Sequence, residues 1–244
     1  MSPDQPIGHP NRPFDPRVIC ALDVPTTEEA RALVERIGDA VGFYKVGLQL
    51  FASDGMGLAR ELKAAGHQVF LDWKLHDIGA TVEKATAVLA HAGCDLLTVH
   101  ARPQVMAAAA RGAAGSDLKI LGVTVLTSLT EEDLQADDHS LSAADLVELR
   151  VRQALDAGIH GVVSSPHEAA RVREIALAAD REDFLIVTPG VRPVGAAVDD
   201  QARAATPQAA LQAGATHLVI GRPITASADP RAEAQEIAQQ IALI

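Results

Sequence analysis

The chain has 244 residues, 48% of them apolar, and 21 Lys and Arg against 32 Asp and Glu give a formal charge of −11. That composition supports a hydrophobic core of one or two domains and excludes disordered and collagen-like chains. With no Lys/Arg cluster and only seven aromatic side chains (5 Phe, 1 Trp and 1 Tyr), it also excludes nucleic acid as a partner, because the overall field repels phosphate and no stacking platform exists. Residues 1–16 are polar and Pro-rich, which predicts a loosely ordered N-terminal arm, not an export signal. The apolar runs that follow are short and interrupted, so no membrane is expected as a partner. Cys20 and Cys94 sit far apart inside strand-like runs, as reduced buried thiols do, and the expected compartment is the cytoplasm.

From residue 17 to residue 244, Val/Ile/Leu-rich runs alternate with Ala/Glu/Arg-rich segments of helical period. The strand candidates in chain order are Val18–Asp23, Phe43–Gly47, Val69–Lys74, Leu96–His100, Ile120–Val125, Gly161–Ser164, Phe184–Thr188 and His217–Gly221. Thr26 with Glu29, Ser165 with Glu168, and Thr206 before Pro207 predict helix starts, and the acids Glu131, Glu132 and Asp133 after Thr130 predict another. Gly66, Gly93, Gly158 and Gly214 predict helix ends. Eight such βα pairs, with no Gly-x-Gly-x-x-Gly turn after Asp23, predict one α/β domain over 17–244, a closed (β/α)8 TIM barrel. The long connections Thr127–Ala143 and Pro189–Thr206 follow strand C-termini, where such barrels keep their active sites, so each is a lid candidate.

Along 69–75 the alternation sends Val69, Leu71, Trp73 and Leu75 toward the helices and Phe70, Asp72 and Lys74 into the barrel, leaving His76 and Asp77 just past the strand end. The same reasoning turns Asp23 and Lys45 inward, with Tyr44 and Val46 outward. Partly desolvating four charges costs several kcal/mol for each ion even in pairs, so Asp23, Lys45, Asp72 and Lys74 point to catalysis and not to stability. Gly221 and Arg222 end the eighth strand, where barrels often bind phosphate, and Arg192 and Gln201 in the preceding loop are further anion-binding candidates. His100 reads as a hydrogen-bonded rim or core histidine, and Thr124 and Thr127 as residues able to hydrogen-bond a ligand. No His/Cys/carboxylate set has the spacing of metal ligands, and no nucleophile elbow occurs.

Leu71-Asp72-Trp73-Lys74-Leu75-His76-Asp77-Ile78 resembles the Asp-x-Lys-x-x-Asp-Ile signature of the orotidine 5'-phosphate decarboxylase family. Ala21-Leu22-Asp23, Tyr44-Lys45-Val46-Gly47, Val123-Thr124-Val125-Leu126-Thr127-Ser128, Thr188-Pro189-Gly190-Val191-Arg192-Pro193, Asp200-Gln201 and Val219-Ile220-Gly221-Arg222-Pro223-Ile224 match in order, over about residues 17–230. The resemblance implies decarboxylation of orotidine 5'-monophosphate to uridine 5'-monophosphate, the last step of de novo uridylate synthesis. It implies a homodimer with shared active sites and neither metal nor organic cofactor. Carried over, Lys74 is the proton donor to C6, within a charge array of Lys45, Asp72, Lys74 and the partner subunit's Asp77. Asp72 also lies near the leaving carboxylate. Asp23 and Lys45 contact ribose hydroxyls, and Thr81 of the partner subunit lies near the 2'-hydroxyl. Thr127 meets the pyrimidine, while Gln201, Arg222 and the Gly221 amide hold the phosphate, with Arg192 in the same loop system.

Two departures from the family pattern stand out. Gly79 occupies a position where Pro is common and is expected to loosen the loop carrying Asp77, and Trp73 is bulky for a helix-facing site. The nearest alternative is a magnesium-dependent sugar-phosphate decarboxylase or aldolase of the same superfamily, which resembles this chain in its Asp-x-Lys-x-x-Asp signature. There a Glu typically stands where Lys45 stands, because the metal needs an anionic ligand. A non-catalytic ligand-binding barrel is the remaining alternative, and it gives no reason to keep unpaired rim charges.

Overall fold

The computed structural model describes residues 14–192, 205–242 and 244. Eight parallel strands close into a barrel in chain order: β1 (Val18–Ala21), β2 (Phe43–Gly47), β3 (Gln68–Leu75), β4 (Leu96–His100), β5 (Lys119–Val123), β6 (Gly161–Val163), β7 (Leu185–Pro189) and β8 (His217–Ile220). The ring is sealed by β1 pairing with β8, Val18 opposite Leu218 and Cys20 opposite Ile220. The expected (β/α)8 architecture is therefore present, with helices between successive strands.

Side-chain alternation divides the apolar residues into two packed regions. Ile19, Ala21, Phe43, Phe70, Leu96, Leu121, Val187 and Val219 fill the inside of the barrel. Their chain neighbours, among them Cys20, Tyr44, Leu71, Leu97, Ile120 and Ile186, pack outward with the helices in the larger core. Because the interior is plugged by these apolar residues, polar side chains that face inward are admitted only at the mouths.

Helix termini mostly follow their local signals. Thr26 accepts from the Glu29 amide, and Thr206 accepts from that of Ala209 with Pro207 at the first helical position. Thr130 and Asp133 form a reciprocal capping box at the start of the helix Glu131–Ala136, inside the long connection after β5. Gly66, Gly93, Gly158 and Gly214 follow helix ends with φ of 88°, 72°, 69° and 103°, a region that favours glycine.

The start expected at Ser165 is corrected. Ser165 does bond Glu168, its amide donating to Oε2 at 3.1 Å, but this closes a turn and the helix begins only at Ala169. Strand ends shift too. β1 stops at Ala21 because Leu22 makes its last ladder bond to the Lys45 carbonyl, and β5 stops at Val123. Asp23 and Thr124 consequently lie on the rim and not within strands. Residues 1–13 of the arm expected over 1–16, and most of the connection after β7, including Pro193, Asp200 and Gln201, lie outside the described residues. The described end of that arm is held to the barrel by Asp15, which accepts from the Arg17 amide at 2.9 Å and from the Val18 amide at 3.1 Å.

Candidate active site

The C-terminal mouth of the barrel opens on a cavity of about 520 Å³. β1, β2 and β3 place four charges on its wall. Lys45 Nζ lies 2.8 Å from Asp23 Oδ1 and 3.3 Å from Asp72 Oδ2, and Lys74 Nζ lies 2.8 Å from Asp72 Oδ1. The row alternates in sign, so each interior charge has opposite neighbours. Strand pairing sets this order: Lys45 is opposite Ala21 on one side and Phe70 on the other, and Asp72 is opposite Gly47.

Burial works against the charge of Lys45, but the carboxylates of Asp72 and Asp23 outweigh it and hold the ammonium above the ordinary lysine range. Burial likewise opposes ionisation of Asp72, yet Lys45 and Lys74, together with hydrogen bonds from Lys74 and Thr98, hold its carboxyl below the usual range. Both groups are therefore ionised at neutral pH. A sequence of alternating charges at the barrel mouth can orient a polar substrate and stabilise charge that develops beside it.

β3 reaches this geometry by distortion. Leu71 pairs with Leu97 and Leu75 with Val99, so four steps along β3 match two along β4. Within the irregular stretch Lys74 adopts φ of 50°, a conformation that strains a residue with a side chain by roughly 1–3 kcal/mol. Outward-facing Trp73 is buried, with the Phe51 ring tilted against it at 4.6 Å between centroids. That contact, from the short helix Leu48–Phe51, accommodates its bulk.

The opposite side of the mouth carries the remaining candidates. Thr127, Arg192, Gly221 and Arg222 all line the same cavity, with Gly190 and Thr225 between them. Gly221 precedes the short helix Arg222–Thr225, and a Cβ there would meet only Ala21 Cβ at 3.6 Å, so the protein's own packing does not demand glycine. Apolar Val123, Val125 and Leu126 form the wall between the two polar sides. Thr124 turns away to donate to the Val163 carbonyl at 2.9 Å. Asp77 and Thr81 do not line this cavity. Both are exposed, and Asp77 borders a separate depression with His76, Ile78 and Arg102. The half-buried His100 ring packs against that of His76 at 5.2 Å, and burial, then the nearby His76, Arg150, Lys74 and Arg102, pushes its pKa down.

Two residues of the site escape a reading of the sequence. A Cβ on Gly47 would come within 2.7 Å of Asp23 Oδ1 and 3.0 Å of Lys45 Nζ, so glycine makes room for that ion pair. The signal was present in Tyr44-Lys45-Val46-Gly47, but only the inward direction of Gly47 explains it. Thr98, fully buried on β4, accepts from the Lys74 amide at 3.0 Å and donates to Asp72 Oδ1 at 3.0 Å. Nothing in Leu97-Thr98-Val99 distinguishes it from an ordinary strand threonine.

The sequence profile of the orotidine 5'-phosphate decarboxylase / HUMPS family matches residues 16–237. The chain belongs to this family. It is 65% identical over 228 residues to a Caulobacter vibrioides protein called orotidine 5'-phosphate decarboxylase, covering 93% of this chain and 98% of that one. A protein of the same name from Cereibacter sphaeroides is 53% identical over 231 residues, 93% of this chain and 97% of the other. The crystal structure of orotidine 5'-phosphate decarboxylase from Lactobacillus acidophilus superposes with a TM-score of 0.81 at 35% identity, covering 93% of this chain and 99% of that chain. Asp72 and Lys74 thus stand in the cavity at the distorted end of β3, and Asp77, past the strand end, stands outside it.

Proposed function

We propose that this chain decarboxylates orotidine 5'-monophosphate to uridine 5'-monophosphate and CO2. The observation that carries the reading is the row Asp23–Lys45–Asp72–Lys74 at the barrel mouth, with Arg192, Gly221 and Arg222 across the cavity. The C6–carboxylate bond breaks with its electron pair left on C6. No conjugated sink adjoins that carbon, so charge must be met by a preplaced cation. Lys74 supplies it, then transfers a proton from Nζ to C6 and recovers one from water. Asp72 pairs with that ammonium at 2.8 Å and sits near the leaving carboxylate. Asp23 and Lys45 hold the ribose hydroxyls, Thr127 meets the pyrimidine, and Arg222 with the Gly221 amide binds the phosphate, joined by Arg192 and by Gln201 from outside the described residues. Phosphate binding far from C6 contributes energy to the reacting centre. No metal or organic cofactor takes part.

The active unit is a homodimer in which Asp77 and Thr81 complete the cavity of the other copy. Both residues stand outside the cavity of their own chain, and the connections after β2 and β3 leave Leu48, Phe51 and Ile78 exposed, at 52%, 54% and 73%. Residues 17–244 form the catalytic domain. No helix among the described residues is long and apolar enough to cross a membrane, and the cytoplasm is the proposed compartment.

Chelator-treated protein mixed with orotidine 5'-monophosphate, followed by absorbance of the orotate ring, tests the reading. Turnover is expected without added metal. Turnover only of a sugar phosphate, and only after magnesium is restored, would transfer the chain to the metal-dependent branch. Lys45 argues against that branch, because an ammonium in place of a carboxylate repels a divalent cation.

A further inference from the structure

We infer that Thr98 is a positioning residue for the reaction: its hydroxyl pins the distorted end of β3 so that Asp72 and Lys74 both face the substrate. The inference rests on the decarboxylase reading for its kinetic consequences and on geometry alone for its structural ones. β4 places Leu97 and Val99 outward, in the core under the helices, and Thr98 between them faces the barrel. Opposite this single inward residue, β3 has two, Asp72 and Lys74, because it spends four steps where β4 spends two. A regular ladder cannot serve the surplus backbone. The Lys74 amide donates instead to Thr98 Oγ1 at 3.0 Å, and the one proton of that hydroxyl goes to Asp72 Oδ1 at 3.0 Å, a better acceptor than the Leu71 carbonyl at 3.5 Å.

One buried atom therefore ties the backbone of the lysine to the side chain of the aspartate. The tie matters because Lys74 holds a left-handed φ that an unanchored lysine would relax, swinging Nζ off its line. It also helps to orient Asp72, whose other contacts are Lys45 Nζ and Lys74 Nζ, themselves on flexible stems. The charged groups facing Asp72 are thus Lys45 from β2, Lys74 from β3 and, behind Lys45, Asp23 after β1, while the titratable group of β4 is His100, whose pKa is pushed down by burial first and then by His76, Arg150, Lys74 and Arg102. Removing a neutral donor leaves that set of charges unaltered.

The test compares Thr98→Val, which keeps the shape, with Thr98→Ser, which keeps the hydroxyl. For Thr98→Val we expect kcat to fall roughly ten- to a hundredfold while affinity for uridine 5'-monophosphate, held largely at the phosphate end, stays within about threefold. The acid limb of kcat/KM should move to higher pH, since Asp72 loses a bond to its ionised form. Thr98→Ser should restore kcat to within about threefold of the parent. Amide exchange at Lys74 should be slow in the parent and Thr98→Ser and fast in Thr98→Val. Parental kcat and slow exchange in Thr98→Val would overturn the inference. So would equal damage in the serine variant, or loss of product affinity in step with kcat, which would indicate a general loss of structure. If the parent protein leaves orotidine 5'-monophosphate intact, the decarboxylase reading fails by itself, and exchange at Lys74 still decides whether Thr98 holds the turn.

Discussion

Individual side chains in this protein are charged or neutral according to the company their burial gives them. Lys45 is 7% exposed and yet ionised, because two carboxylates stand within 3.3 Å. His217 is the opposite case. It begins β8 at the far end of the barrel, edge-on to Phe43 at 6.0 Å, and burial, reinforced by Lys119 and only partly offset by Asp15, pushes its pKa down to about 4. The unfolded chain takes up a proton near the ordinary value of about 6.5 that the folded chain refuses. Stability is therefore complete above that value, is lost as pH falls through the window down to about 4, and is level below it, by at most about 3 kcal/mol for this group. Urea midpoints measured from pH 7.5 to pH 4 should fall less steeply for His217→Gln than for the parent. Equal slopes would assign the acid loss to other groups. His100 and His160, also pushed down by burial, contribute in the same direction and remain in both proteins.

Elements follow local chemistry except where a neighbouring strand intervenes. The helix Gly79–Ala90 starts immediately after Ile78, which has φ of −59° and ψ of 146° and caps it with no side chain. That is the backbone a residue before proline adopts, and the first helical position has no use for its amide. A side chain at Gly79 would touch only Ala108 Cβ at 3.7 Å. Gly79→Pro should therefore raise stability by roughly 0.4–1 kcal/mol through the unfolded state, read as a higher urea midpoint at unchanged slope. Sequence signals located such features well because caps, turns and alternation act within a few residues. They misplaced the helix start at Ser165, since a Ser/Glu pair three apart serves a turn as readily as a cap. They gave no sign of the β3 distortion, because register belongs to the pair of strands and not to either one.

At the scale of the whole molecule the barrel is closed but its proposed site is not. Asp72 and Lys74 face the cavity, whereas Asp77, from the same signature, faces a depression outside it. If two copies share their sites, Lys74→Ala and Asp77→Ala proteins should each lose roughly a thousandfold or more in turnover. Mixed as exchanging dimers, they should regain up to about a quarter of the parental rate, since one cavity of each mixed dimer is intact. Subunit exchange would be checked independently by mass-labelled chains. Exchange without recovery would show that Asp77 acts in its own chain.

The amino-acid sequence by itself determined the eight-unit barrel, the inward direction of Asp23, Lys45, Asp72 and Lys74, and the rim position of Thr127, Gly221 and Arg222. All of these follow from a strand period of two and from chain order around a closed ring, which are properties of contiguous residues. Only the tertiary structure decided that Asp23, Lys45, Asp72 and Lys74 form one row of alternating contacts, that Gly47 clears space for it, and that Thr98 ties its end together. Those groups are scattered from position 23 to position 98 of the chain, on or just past four successive strands. Their distances depend on how two strands slip against each other when the ring shuts, and no stretch of either strand read alone contains that quantity.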